Sequence, residues 1–226
     1  MKNTNCILEQ MEKDFAEMVN HDLNGQNWDC TIIPDVGNGK GGTAIAGPGE
    51  QTRCECFSKG GREEKPQFRT PLDTPINQGD VVFIPAQDMF YLLEHQPQKD
   101  VNCYSTKATP CNARITISRH YDDVTDPKGF LIEAGGTSDY IVNVPCVSKP
   151  HPSLAYANGM PGAIIEDELT VILQRNAYTE QIQRGHTFTL DGKAYTIYDL
   201  HTDGNPQTCK GIIILHCRAI TGSAEG

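Results

Sequence analysis

Much of what commonly betrays a protein's role is missing from this chain of 226 residues. No stretch approaches the roughly 20 apolar residues of a membrane span. The N-terminal MKNTNCILEQMEKDFAEM scatters charges among its apolar residues, so it lacks the continuous apolar core of a secretory signal. No Asn-x-Ser/Thr acceptor occurs. These absences point to synthesis in a cytosol, with no membrane partner. The nine cysteines are then free thiols or metal ligands rather than disulfides. Runs of Lys and Arg are absent too, and the formal net charge is -10. A chain with that balance lacks the electrostatic footprint of a nucleic-acid binder. Its acidic excess instead keeps subunits soluble until they meet a partner.

Catalytic signatures are equally scarce. There is no G-x-S-x-G elbow, and the seven histidines form no H-x-x-x-H or H-E-x-x-H pair. Asp73-Thr74-Pro75 lacks the glycine of an aspartic protease motif. Gly37, Gly39 and Gly42 satisfy G-x-G-x-x-G, but TAIAGPGE follows, and Pro48 between glycines denies the helix whose N-terminus would hold a pyrophosphate. Lys40 is followed by Gly rather than Ser or Thr, so the P-loop pattern fails as well. The chain is read as a non-enzyme without a cofactor. A hydrolase or lyase on a β-barrel finds no motif to support it.

What is present is turn material and short apolar alternation. Gly 21 and Pro 14 favour many turns over a helical bundle. Ile7, Met11, Phe15, Met18 and Leu23 recur at helical spacing, with Asn5 as N-cap and Gly25 as stop. This predicts an amphipathic helix over 1–24, docked on its own domain or, through Met11, Phe15 and Met18, on a neighbouring subunit. Residues 25–65 read as a Gly-rich extended arm, 66–120 as a first β module, 121–165 as a linker with short strands, and 166–226 as a second β module.

The hairpin GHTFTLDGKAYTIYDL anchors that second module. Asp191-Gly192 fits a type I′ turn, which needs φ > 0 at both central positions. Phe188 then faces Tyr195, and Phe188, Leu190, Tyr195 and Ile197 share a core face, with Thr187, Thr189 and Thr196 on the wet face. The segment after Gly79 echoes it: a Gly opens a strand, a second strand carries Tyr91 or Tyr195, and a Cys precedes an Ile-rich strand. The offset is 185 − 79 = 106 residues, which reads as one small β unit used twice. Cys54, Cys56, Cys103 and Cys111 lie within the first half, and four thiols from two hairpins can in principle make a tetrahedral zinc site. Their spacing is not that of a zinc ribbon, and the competing reading is a small buried hydrophobe.

The C-terminal third, through Gly185, Phe188, Asp191-Gly192, Tyr195 and the strand 212–215, resembles the β-barrel of tailed-bacteriophage head–tail connector proteins of the head-closure, or stopper, kind. The resemblance covers roughly residues 166 to 220, and its motif is short. It implies a mainly β fold of two small antiparallel barrel or sandwich modules, and a homo-oligomeric ring around the DNA channel in the virion neck. Its partners would be a portal or adaptor protein on one side and a tail or tail-terminator protein on the other. Viral DNA would pass without sequence-specific contact, and the protein would be made in the host cytoplasm. The chain is longer than single-barrel stoppers, which leaves a tail-terminator or baseplate role open, beside a zinc-stabilised β binding module.

Overall fold

The computed structural model describes residues 27–33, 50–57, 66–101, 103–122, 124–150, 168–205 and 210–220. Among them there is no α-helix, only two one-turn 3-10 helices at Pro85–Gln87 and Thr179–Gln181. The expected helix over 1–24, with Met11, Phe15 and Met18, lies outside the described residues.

The first half is one antiparallel sheet. Its strands are β1 (Asn27–Ile33), β2 (Glu50–Phe57), β3 (Gln67–Pro71), β4 (Val81–Ile84), β5 (Met89–Leu92), β6 (Gln98–Lys99), β7 (Cys103–Lys107) and β8 (Thr109–Pro110). Their order is β6-β7-β3-β2-β1-β4-β5-β8. Strands β7 and β8 are consecutive stretches of chain separated only by Ala108, yet one pairs with β3 and the other with β5. The sheet therefore curls until its two sides meet along residues 103–110.

The second half is a closed barrel. Its strands are β9 (Ala113–Tyr121), β12 (Gly136–Pro150), β13 (Glu168–Gln174), β14 (Thr187–Leu190), β15 (Lys193–Asn205) and β16 (Lys210–Ala219), ordered β12-β13-β16-β15-β14-β9. Between β9 and β12 lies a separate two-stranded ladder, β10 (Val124–Thr125) and β11 (Leu131–Glu133).

Both halves have one topology. The pairings β1–β2, β2–β3, β1–β4, β4–β5, β3–β7 and β5–β8 recur as β9–β12, β12–β13, β9–β14, β14–β15, β13–β16 and β15–β16. Local geometry repeats as well. Gly79 and Gly185 hold φ of 89° and 90°. Gly79 N–H donates to the Leu93 carbonyl at 2.8 Å and Leu93 N–H to the Asp80 carbonyl at 3.0 Å. Gly185, Ile197 and His186 make the same two bonds at 2.8 and 3.0 Å. Asn77 N–H donates to the Asp80 carboxylate at 2.7 Å, and Gln183 N–H to His186 Nδ1 at 3.2 Å. The 106-residue offset thus holds from residue 77 to the hairpin, and becomes 197 − 93 = 104 after it. Four residues, 85–88, make the first turn, where Asp191-Gly192 make the second.

The module bounds differ from those read in the sequence. Strands β1 and β2 fall in the segment read as an arm and form part of the first module. Strand β12, in the segment read as a linker, is the longest stave of the barrel at 15 residues. Its alternation is interrupted by Pro145 and by register shifts between Asp139 and Val144, where Asn143 turns to φ 54° and donates its N–H to Thr116 Oγ1 at 3.1 Å. Two-for-one bulges of this kind hide a strand from a period-2 reading.

Alternation divides the core in two. Ile32, Val82, Ile84, Tyr91 and Leu93 turn into the first module with Cys30, Cys54 and Phe68. Their neighbours Ile33, Val81, Phe83, Phe90 and Leu92 turn outward and join the apolar cluster of the barrel. Strands β4 and β5 are buried on both faces, hence the near-continuous apolar runs VVFI and MFYL. Polar contacts fix the docking: Gln174 Nε2 donates to the Ile33 carbonyl at 3.0 Å, Gln78 Nε2 to Asp203 Oδ2 at 3.1 Å, and Lys149 pairs with Glu94 at 3.3 Å.

Candidate assembly surface

The four cysteines proposed for zinc do not converge. Cys54 and Cys56 lie on β2, Cys103 pairs with Pro71 on the far side of β3, and Cys111 sits at the junction between the modules. Among the described residues no group of three or more His, Cys, Asp or Glu side chains is placed to hold a metal ion. The surroundings of these thiols also disfavour the free thiolate. A hydrogen bond shared with Cys30, together with burial, pushes Cys54 far up, and burial raises Cys56 to about 11 and Cys111 to about 12. Burial likewise lifts Cys103. Cys54 and Cys103 are buried, and Cys56 and Cys111 are half-buried.

The hairpin residues are scaffold. Phe188 pairs with Tyr195 across β14 and β15, their rings stacked at 5.4 Å. Phe188 and Ile197 are buried in the barrel core, with Leu190 and Tyr195 packed against it. Asp191 and Gly192 hold φ of 50° and 78°, the sign a type I′ turn demands. Just before the hairpin, His186 Nδ1 accepts from Gln183 N–H and meets Tyr140 Oη at 2.8 Å. Burial, and then the Arg119 guanidinium, hold this imidazole below its ordinary pKa, so it is neutral and locks the strand entry to β12.

Two features among the described residues present apolar side chains at the surface. The first is the β10–β11 hairpin. Asp126 and Gly129 bracket its turn, with Pro127 pre-setting φ at the first central position and Gly129 at φ 84°. Asp126 N–H donates to the Phe130 carbonyl at 2.8 Å, and Asp126 Oδ1 accepts from the N–H groups of Lys128 and Phe130, each at 2.8 Å. Immediately after this built turn, Phe130, Leu131 and Ile132 are 69%, 58% and 67% exposed. Successive strand residues point to opposite faces, so the hairpin is apolar on both sides. Scattered apolar residues on a surface need no explanation, but three in a row on a projecting hairpin do.

The second is a cleft of about 310 Å³ where the modules join, lined by Met89, Phe90, Cys111, Ala113, Pro145 and Arg114, among others. Its floor is fixed. Cys111 N–H donates to the Phe90 carbonyl at 2.8 Å, and Asn112 exchanges two hydrogen bonds with Ser148 at 2.8 and 2.7 Å. The Arg114 guanidinium lies over the Phe90 ring at 4.7 Å. Met89 is 38% exposed at the rim.

Neither feature was picked out in the sequence. DDVTDPKG reads as turn material, yet Asp-Pro-x-Gly followed at once by Phe-Leu-Ile is a visible signal of an apolar projection. The cleft has no sequence signal, because its lining comes from three separate strands and the junction between modules.

Residues 114–218, just under half of the chain, match the model of the family described as the YomX C-terminal domain, a domain family of phage derivation. The matched span begins one residue inside β9 and ends one residue before the end of β16, so it coincides with the closed barrel. The match associates the chain with phage proteins. Comparison with curated proteins and with solved structures gives no match.

Proposed function

We propose that this chain is a structural protein of a tailed phage particle, assembling as a ring in the neck between portal and tail. The observation that carries the reading is the pairing of a phage-associated barrel with an exposed, pre-formed apolar hairpin that its own core does not use. Large apolar projections on soluble proteins mark contacts with other chains. A curled sheet and a closed barrel of like topology, docked through a shared apolar cluster, supply a body with several outward faces, which suits a scaffold. Its acidic net charge of -10 suits a wall past which duplex DNA moves without being held. In this role the protein works through contacts with its own copies, with a portal or adaptor on the head side and with a tail protein on the other. It carries no catalytic step, and it is made in the host cytoplasm and ends in the virion neck.

Mass spectrometry of purified particles, together with cryo-electron microscopy, tests this. The protein is expected in mature virions, as density between head and tail. Its density at the tail tip would move the assignment to the baseplate, and its absence from particles would overturn the reading.

A further inference from the structure

The registers of the two modules single out one residue whose chemistry differs from that of its counterpart. Across β1 and β2, Trp28 faces Cys54 and Cys30 faces Thr52. The matching pairs across β9 and β12 are Ala113 with Cys146 and Ile115 with Val144. The equivalence is fixed through β4 and β14, since Val81 faces Ile33 and its counterpart Thr187 faces Ser118. Cys54 therefore corresponds to Cys146, and Cys30 corresponds to Ile115. Both 30 and 115 turn into the core of their own module. The barrel fills that place with an apolar side chain. The first module puts a thiol there, beside a second thiol.

Cys30 and Cys54 lie on neighbouring strands, two residues out of register, so they share one face and stand on a diagonal. They are 3% and 0% exposed. A hydrogen bond joins their side chains. In the barrel, Ile115 leaves Cys146 without a thiol at the matching place.

We propose that Cys30 and Cys54 form a reversible disulfide, open among reduced thiols and closed by a low-molecular-weight disulfide, R–S–S–R. Two cysteine thiols are oxidised and one small disulfide is reduced. Cys30 leads, because it lines a cleft of about 550 Å³ with Thr31, Thr52 and Arg53, and Cys54 does not. Cys30 loses its proton and its sulfur attacks one sulfur of R–S–S–R. The small disulfide breaks, and its other half leaves as R–SH. The Cys54 sulfur then attacks the Cys30 sulfur of the mixed disulfide, and a second R–SH leaves with the proton from Cys54. The products are one Cys30–Cys54 bond and two R–SH.

The order of steps suits the surroundings of the two thiols. The hydrogen bond to Cys30 foremost, and burial after it, hold Cys54 in the thiol form. Once the Cys30 sulfur is tied up in the mixed disulfide, the first of these causes is gone. Burial remains, so closure takes hours rather than seconds. The pair acts as a lock that sets after a change of surroundings, not as a rapid sensor.

Geometry makes the lock reversible. Diagonal neighbours stand roughly 7–8 Å apart at Cα, beyond the ~4.4–6.8 Å that disulfides favour. The bond must draw β1 and β2 together, and such strain makes a disulfide easier to reduce. These two strands are the middle pair of the eight-stranded sheet. Among the described residues, the two sides of that sheet otherwise meet along 103–110. A bond from 30 to 54 ties the curl at its centre. This chemistry belongs to the first module whatever particle or partner the chain serves.

The test uses the full chain, folded and fully reduced, incubated at neutral pH with excess oxidised glutathione. Thiols are then alkylated in acid and the peptides mapped by mass. The expected product has lost two thiols, joins residues 30 and 54, and reverts with excess reduced glutathione. Its thermal midpoint is expected to rise by roughly 5 °C. Cys54→Ser removes the second attacker and should trap one glutathionyl group on Cys30. Cys30→Ile copies the barrel's residue at the matching place, and should fold as judged by circular dichroism while losing the cross-link. In every case Cys146 should remain a thiol. Cysteines all free after a day, or cross-links that join other positions, would overturn the disulfide. An oxidised chain that melts no higher than the reduced one would overturn its role as a lock. Neither result bears on whether the protein is found in virions, so the neck reading stands or falls separately.

Discussion

Gly79 and Gly185 share a conformation but not a setting, and the difference predicts different costs. Both need φ near 90°, which L side chains rarely adopt. A Cβ on Gly185 would meet nothing within 4 Å, whereas one on Gly79 would lie 1.8 Å from the Gly211 carbonyl oxygen on the facing module. Gly185→Ala is expected to cost roughly 1 kcal/mol, from backbone strain alone. Gly79→Ala is expected to cost about 3 kcal/mol or more, because the modules must also part. Urea unfolding of the two variants measures the contrast. His186 supplies a pH-dependent counterpart. Its folded-state pKa is held below the ordinary 6.5, so the fold prefers the neutral ring. That contribution to stability is fully present above the unfolded value and is lost as pH falls through the lowered folded value. On acidification below pH 6.5 the urea midpoint of the native protein should fall more than that of His186→Gln, which keeps an acceptor but does not titrate. Equal slopes for the two would remove His186 from the account.

Among the elements, the β10–β11 hairpin stands alone, since its ladder joins neither the first sheet nor the barrel. Its turn is held by Asp126, so Asp126→Ala should release the N–H groups of Lys128 and Phe130 and loosen the tip by about 1 kcal/mol. Because no core residue depends on it, the global melting temperature should not move. Faster hydrogen exchange confined to residues 124–133 is the expected readout, and protection unchanged there would show that the aspartate holds nothing. The contrasting element is the β14–β15 hairpin, where Phe188→Ala opens the barrel core and should cost about 3–5 kcal/mol in global unfolding. The two elements also differ in how much of them the sequence discloses. Phe188, Tyr195 and the Asp191-Gly192 turn could be placed from alternation and turn chemistry, because both signals are local. The same logic located Gly79 and its echo. It disclosed only short fragments of β12, where Asn143 and Pro145 break the period, and of β1, whose partner β2 lies beyond a Gly-rich stretch. It placed Cys54 and Cys103 in one candidate site because linear spacing says nothing about the strand that stands between them.

For the whole molecule, the two-residue connection at 111–112 and the double-faced burial of β4 and β5 make opposing statements. The backbone ladder of each half is self-contained, so each half has the pairing it needs. The side chains are not self-contained: Ile33, Val81, Phe90 and Leu92 belong to the apolar cluster of the barrel. Expressed separately, segments 1–111 and 112–226 are therefore expected to bind one another and to co-purify. Leu92→Asp should abolish the complex by burying an unpaired charge. Failure of the unsubstituted segments to associate would mean that the shared cluster contributes less than its burial implies.

The split at Ala108 gives the molecule a mechanical asymmetry. In the barrel, β15 and β16 are stitched through ten residue pairs, while the matching seam of the first module, β5 against β8, has two, one of them involving Pro110, which has no N–H to give. Under a load applied across both halves, the shorter seam parts first and the longer one carries what remains. Stretched end to end in a force spectrometer, one molecule should yield in two steps, the weaker belonging to residues 27–110. A wall built from such subunits would thus have a compliant half and a stiff half, with the stiff half being the one that carries the hairpin.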